Sequence, residues 1–213
     1  MPAVGAARPY HHGQLRDALV DAGLELARTG GPDAVVLRAV SRAAGVSHNA
    51  AYRHFADRDS LLRAVCERCM SQLATLMEQR IAEATEAEPQ AEPQAAAWAG
   101  LGALGRAYVE FATTEVGWFR TAFALPDTVE TFHPSEGVGP GGLGPYDLLS
   151  AGLDELVAAG AIPAERRPGL EYAAWSAVHG LSTLIIDGPL RALPAADREQ
   201  ALSVVLDSVS RGL

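Results

Sequence analysis

The stretch 37–55, LRAVSRAAGVSHNAAYRHF, concentrates side chains suited to reading another molecule by hydrogen bonds. Ser47, His48, Asn49, Ala50, Tyr52, Arg53 and His54 set hydroxyl, imidazole, carboxamide, methyl, phenol and guanidinium within two helical turns. Base edges in a DNA major groove present acceptors, amino donors and the thymine methyl, and this mixture matches them. No Asp or Glu occurs between Asp33 and Asp57, so no carboxylate repels a phosphate there. The order of residue types also fits a helix-turn-helix. Ala43 and Ala44 are small where helix meets helix, Gly45 permits a turn, and Ser47 can cap the second helix through its exposed backbone N–H groups. Val46, Ala51 and Phe55 fall inward to fix the crossing, which leaves the outward positions for the groove.

Other reactive types make weaker patterns. Cys66 and Cys69 lie one turn apart in the middle of a helix, a poor geometry for a mutual disulfide, and lack companion ligands, so they read as core. The pair His11-His12 reads as a cation and cap beside the first helix rather than a metal site, and His179, alone on an apolar helix, as a satisfied core or interface residue. Downstream acids are spaced as solvated helix faces. There is no paired-carboxylate arrangement, activated serine or cysteine, or phosphate-cradling glycine loop. The expectation is a protein without catalytic residues, cofactor or metal, and not an enzyme.

Helices must hold these residues. Leu15, Ala18, Leu19, Ala22 and Leu26 recur with helical spacing until Gly30-Gly31-Pro32 ends the run. Leu37, Val40, Ala43 and Ala44 make a short second helix, 48–54 a third, and Asp57 caps a fourth that extends to about residue 84. The tandem AEPQ over 86–94 reads as a loop, followed by helices at 97–116 and 117–125 that carry most of the aromatics. Residues 126–145, rich in proline and glycine, read as a mobile surface excursion. Helix resumes over 146–159, 170–186 and 197–211, and no alternating run predicts a strand. The fold class expected is all-α with about nine helices: a three-helix domain over 1–60 and a larger helical domain over 61–213.

The 213 residues suffice for a sizeable core, and no apolar run reaches the ~20 residues of a membrane helix. Two cysteines do not make a disulfide framework, so a reducing compartment and a cytoplasmic, soluble protein are expected, with no membrane partner. The net charge of -9 is uneven: residues 1–60 hold seven arginines against six acids, whereas 61–213 hold ten against twenty. There is no lysine, so every fixed side-chain cation is an arginine.

Residues 10–65, with YHHGQLR, AAGVS, YRHF and the following DRDSLL, resemble the DNA-binding domain of the TetR family of bacterial regulators. AWSAVHGLSTL, with Trp175, His179 and Gly180, is similar to the Trp-His-Gly signature of one branch's C-terminal domain. The resemblance implies a cytoplasmic, ligand-responsive repressor that binds an inverted-repeat operator in double-stranded DNA as a homodimer, its small-molecule effector unknown. It implies phosphate contacts from Tyr52, His54 and Arg58, with Ser47, His48, Asn49, Ala50 and Arg53 nearest the bases. Asn49 either pairs with adenine or caps and tilts the helix. Val36 departs from the capping threonine of many relatives. Met77, Tyr108, Phe111, Trp118, Phe119, Phe123, Tyr146, Trp175 and His179 are candidates for the effector pocket, as well as for ordinary core. Ala173, Ala177, Leu181, Ile185, Leu202, Val205, Leu206 and Val209 would form the apolar seam of a four-helix dimer interface. The alternative is a ligand-binding or enzymatic helical protein on the same scaffold, without operator binding.

Overall fold

The computed structural model describes residues 12–125 and 137–212. His11 and residues 126–136 of the expected excursion lie outside them. The described residues form nine α-helices and no strand: α1 (His12–Gly30), α2 (Leu37–Ala43), α3 (His48–Tyr52), α4 (Arg58–Ala87), α5 (Pro93–Thr114), α6 (Val116–Ala122), α7 (Pro145–Ala158), α8 (Leu170–Ile186) and α9 (Ala195–Gly212). None is long and apolar enough to cross a membrane.

Two apolar cores organise these helices. The first gathers Leu19 and Val20 of α1, Val40 of α2, Ala51 of α3 and Phe55 around Leu61, Leu62, Val65 and Cys69 of α4, and it takes in Ala122 of α6. The second joins Leu73 and Met77 of α4 to Leu104, Tyr108 and Phe111 of α5, Phe119 of α6, Leu153 and Leu156 of α7, and Val178, Leu181 and Ile185 of α8. The boundary expected between residues 60 and 61 therefore falls inside α4, whose first half belongs to one core and whose second half belongs to the other.

Local chemistry explains the ends. Asp57 accepts from the Ser60 amide at 2.8 Å while the Ser60 hydroxyl engages the Asp57 amide at 3.3 Å, a reciprocal box that satisfies donors at the start of α4. The AEPQ stretch is less of a loop than its prolines suggest. The α4 helix continues to Ala87 and α5 begins at Pro93, because proline at a first helical position forfeits no intrahelical bond. In the helix-turn-helix, Ala43 is exposed and Ala44 half-buried, so close packing falls instead to Val40 and to Ser41, whose hydroxyl is turned back onto Leu37 O at 2.6 Å.

Contact between the cores runs through α6. Trp118 donates its indole N–H to Leu24 O of α1 at 2.8 Å, and Arg28 lies 4.9 Å over the same ring while pairing with Glu115. Gly117 lets this helix approach closely: a Cβ built there would stand 2.2 Å from the carbonyl oxygens of both Ala27 and Arg28.

Candidate nucleic-acid interface and ligand cavity

The turn between α2 and α3 is made by Gly45, at φ +69, a left-handed conformation that favours glycine. Val46 then donates its amide to Ser41 O at 2.9 Å, and Ser47 accepts from the Ala50 amide at 3.2 Å, which fixes where α3 begins. Ala51 and Phe55 are buried and orient the helix, as the sequence pattern requires, while Val46 is half-buried. His48, Asn49 and Arg53 are exposed, Tyr52 is 48% exposed, and Ala50 and His54 are half-covered. The His48 and Tyr52 rings meet edge to face at 4.7 Å, one turn apart, which limits how far the phenol can swing.

Two residues not singled out in the sequence join this surface. Arg38 and Arg42 are exposed one turn apart on α2, a helical i, i+4 pair whose signal was the acid-free stretch itself. Arg58 differs from the other cations: its guanidinium donates to Val35 O at 3.1 Å and Pro32 O at 2.8 Å, bracing the turn after α1. Val36 starts α2 in extended conformation with no side-chain cap.

A cavity of about 190 Å³ lies mainly against the second core and reaches Cys66 and Ala122 of the first. Cys66, Met70 and Met77 of α4, Leu101, Leu104 and Tyr108 of α5, Phe123, Tyr146 and Leu149, Trp175 and Val178 of α8, and Leu206 and Val209 of α9 line it, with Arg63 and Glu67. Of the expected pocket residues, Met77, Tyr108, Phe123, Tyr146 and Trp175 are therefore at the wall. The others are not among the lining. His179 sits behind the wall, its Nδ1 2.7 Å from the Tyr108 hydroxyl and its ring 4.9 Å from that of Phe123 and 5.5 Å from that of Phe119. Burial lowers the pKa of this imidazole, favouring its neutral form. Phe111 stacks on Trp118 beside α1, away from the cavity, so aromatic character alone did not distinguish cavity wall from the α1–α6 contact.

Cys66, expected as core, is buried and also lines the cavity, with its thiol on Thr121 O at 2.9 Å. Cys69 is fully buried and burial pushes its thiol pKa up, so it is an inert core group. Among the described residues no group of three or more His, Cys, Asp or Glu is arranged to hold a metal.

The expected dimer seam divides. Leu181, Ile185 and Leu202 are buried in the protomer's own second core, while Leu206 and Val209 face its cavity. Ala173, Ala177 and Val205 border a shallow groove between α8 and α9, beside Val204, and Val209 reaches this groove as well as the cavity. Tyr172, Leu184 and Val204 are the large apolar side chains left exposed on these two helices.

Described elements that are all helical, with a capped helix-turn-helix joined by one long helix to a second core beside a cavity, have the anatomy of a one-component regulator. Residues 19–65 match the family described as bacterial regulatory proteins, tetR family, and residues 101–209 match the tetracyclin repressor-like C-terminal domain. The chain belongs to the TetR family of transcription regulators. A solved protein of unknown function from Rhodococcus sp. RHA1 is 30% identical and superposes over 97% of this chain and 99% of that one, with a TM-score of 0.72. A TetR-family member from Streptomyces coelicolor A3 shares the fold at 20% identity, TM-score 0.55, over 92% of this chain and 98% of that one. RolR, solved with the ligand resorcinol, shares it at 15% identity, TM-score 0.57, over 92% and 88%. No curated protein matches the chain.

Proposed function

We propose that this TetR-family regulator is a repressor that binds an inverted-repeat operator as a homodimer and releases it when a small molecule fills the cavity. The observation that carries this reading is the division of α4: Leu61, Val65 and Cys69 are built into the core that holds α3, and Met77 into the cavity wall. An occupant that favours one tilt of α4 changes the separation of the two recognition helices in a dimer, and its differential affinity for the two geometries supplies the switching free energy.

At the DNA, Tyr52 and His54 contact phosphates, Arg38 and Arg42 supply charge to the backbone, and Ser47, His48, Asn49, Ala50 and Arg53 meet base edges. Arg58 acts as the brace of the preceding turn. The dimer forms through α8 and α9, with Tyr172, Ala173, Ala177, Leu184, Val204 and Val205 in the seam, since these remain accessible on the protomer. The spacing of Trp175, His179 and Gly180 supports assignment to the Trp-His-Gly branch of the family, and the proposed regulator acts in the cytoplasm without enzymatic activity. RolR, a structural relative, holds a small ligand, and the cavity here supports the same kind of role.

The test is selection of bound duplexes from a random DNA pool by the purified protein, with affinity for the enriched sequence measured at two salt concentrations. An enriched inverted repeat, with half-sites about 34–36 Å apart or a multiple of that, and affinity falling steeply with salt supports the reading. Failure of a folded dimer to enrich any sequence would falsify it.

A further inference from the structure

The cavity walls specify the chemistry of what fills them. At about 190 Å³ the space exceeds the roughly 150 Å³ that accommodates benzene in an engineered protein cavity. It therefore suits one aromatic ring with a short substituent. Most of the lining is leucine, methionine, valine, tyrosine, phenylalanine and tryptophan, with small residues between them. Its two ionisable residues of opposite sign, Arg63 and Glu67, lie one turn apart on α4, so together they add no net charge. A charged occupant would exchange its hydration for a wall in which attraction to one of these residues is offset by repulsion from the other.

Of the two tyrosines in the lining, Tyr108 and Tyr146, the first has its hydroxyl fixed between two ring nitrogens. It accepts the indole N–H of Trp175 at 3.1 Å and is 2.7 Å from Nδ1 of His179. A phenol has a single proton to give. When Nδ1 is bare, the hydroxyl donates to it and is spent. When Nδ1 carries the proton, the ring donates instead, and the hydroxyl proton is released for another acceptor. Both neutral forms of the imidazole keep the Tyr108–His179 bond, so changing between them costs little as long as the released O–H finds a partner. Tyr108 and Trp175 line the cavity, and His179 is behind them, ringed by Phe119, Phe123 and Trp175.

We infer that the effector is a neutral, single-ring aromatic compound bearing an acceptor oxygen such as a ketone, and that Tyr108 recognises the oxygen by donating the proton released when His179 changes tautomer. This rests on the proposed ligand-responsive role of the cavity and adds its ligand class. Tyr108 is the specificity-determining residue, and His179, which acts through it, a positioning residue.

The experiment is calorimetric titration of the full-length protein with three probes of similar size: acetophenone, ethylbenzene and benzoate. Acetophenone is expected to bind at least tenfold more tightly than ethylbenzene, and benzoate more weakly than either. In Tyr108→Phe the preference for acetophenone over ethylbenzene should fall to about one while ethylbenzene affinity stays within twofold; a purely structural role for Tyr108 would weaken both probes together. Equal affinity of the wild-type protein for acetophenone and ethylbenzene, tighter binding of benzoate, or no binding of any probe overturns the assignment. Those comparisons need only the wild-type chain, so they stand even where Tyr108→Phe fails to fold. A separate titration of operator-bound protein distinguishes the two claims: acetophenone that binds selectively yet leaves operator affinity unchanged supports the ligand class and refutes the proposed release mechanism.

Discussion

Gly117→Ala is the sharpest perturbation of the contact between the two cores. The new methyl carbon would lie 2.2 Å from Ala27 O and Arg28 O and 2.6 Å from the Arg28 carbonyl carbon, all backbone atoms that cannot rotate aside. Carbon and oxygen rest no closer than about 3.3 Å, so α6 must withdraw from the last turn of α1 by roughly 1 Å. Overpacking of this kind costs about 1–3 kcal/mol, and stretching the Trp118–Leu24 hydrogen bond adds about 1 kcal/mol, for roughly 2–4 kcal/mol in all. In a domain of this size each kcal/mol moves Tm by about 2–4 °C, so thermal unfolding followed by circular dichroism at fixed protein concentration should show a fall of roughly 5–15 °C. Gly102→Ala is the control. Gly102 is also helical, but a Cβ there meets nothing within 4 Å. It should raise Tm by about 1–4 °C by removing the helix penalty of glycine. A Gly117→Ala protein whose Tm lies within about 2 °C of wild type would refute the claim that α1 and α6 are in backbone contact.

Val36 begins α2 in extended conformation and is 37% exposed, so Val36→Thr should add a cap bond and raise stability by about 1 kcal/mol, seen as a Tm increase of about 2–4 °C. The Ser60 amide and hydroxyl hold the Asp57 carboxyl below the usual carboxylate range; a depressed folded-state pKa gives stability that is present above the unfolded value and is lost as pH falls through the folded one. Asp57→Asn should therefore lower Tm at neutral pH, and the gap to wild type should close as pH drops below about 4, whereas a gap independent of pH counts against the charged cap. Arg53→Ala should weaken the selected operator by about 1–3 kcal/mol with Tm unchanged; a loss under twofold in affinity removes Arg53 from base recognition.

The helix-turn-helix was legible in the sequence because its requirements are local. Gly45, Ser47 and Asp57 act within three or four residues of themselves, and the structure uses each at its expected post. Helix α8 was readable to the residue, from Leu170 to Ile186, yet the face each side chain presents was not. An apolar helix between its own core and a second apolar surface carries one periodicity for two purposes, so Leu181 and Ile185 could not be told from Leu184. Trp118 failed as a cavity residue for a different reason: its partner is a backbone carbonyl 94 positions away, which no spacing rule reaches. Arg58 likewise spends its guanidinium on the carbonyls of Pro32 and Val35, a commitment fixed only by the folded turn.

The 30 residues of α4 make a rod about 45 Å long. Rods convert angle into distance. A tilt of about 5° at one end displaces the other by roughly 4 Å, more than the length of a hydrogen bond. The cavity touches α4 from Arg63 to Met77, along the rod and not at its far end, so a small rotation imposed there would be carried outward to both ends. The same geometry sets a tolerance: a substitution that lets α4 bend between Cys69 and Leu73 would split the cavity wall itself, with Cys66 on one side and Met77 on the other.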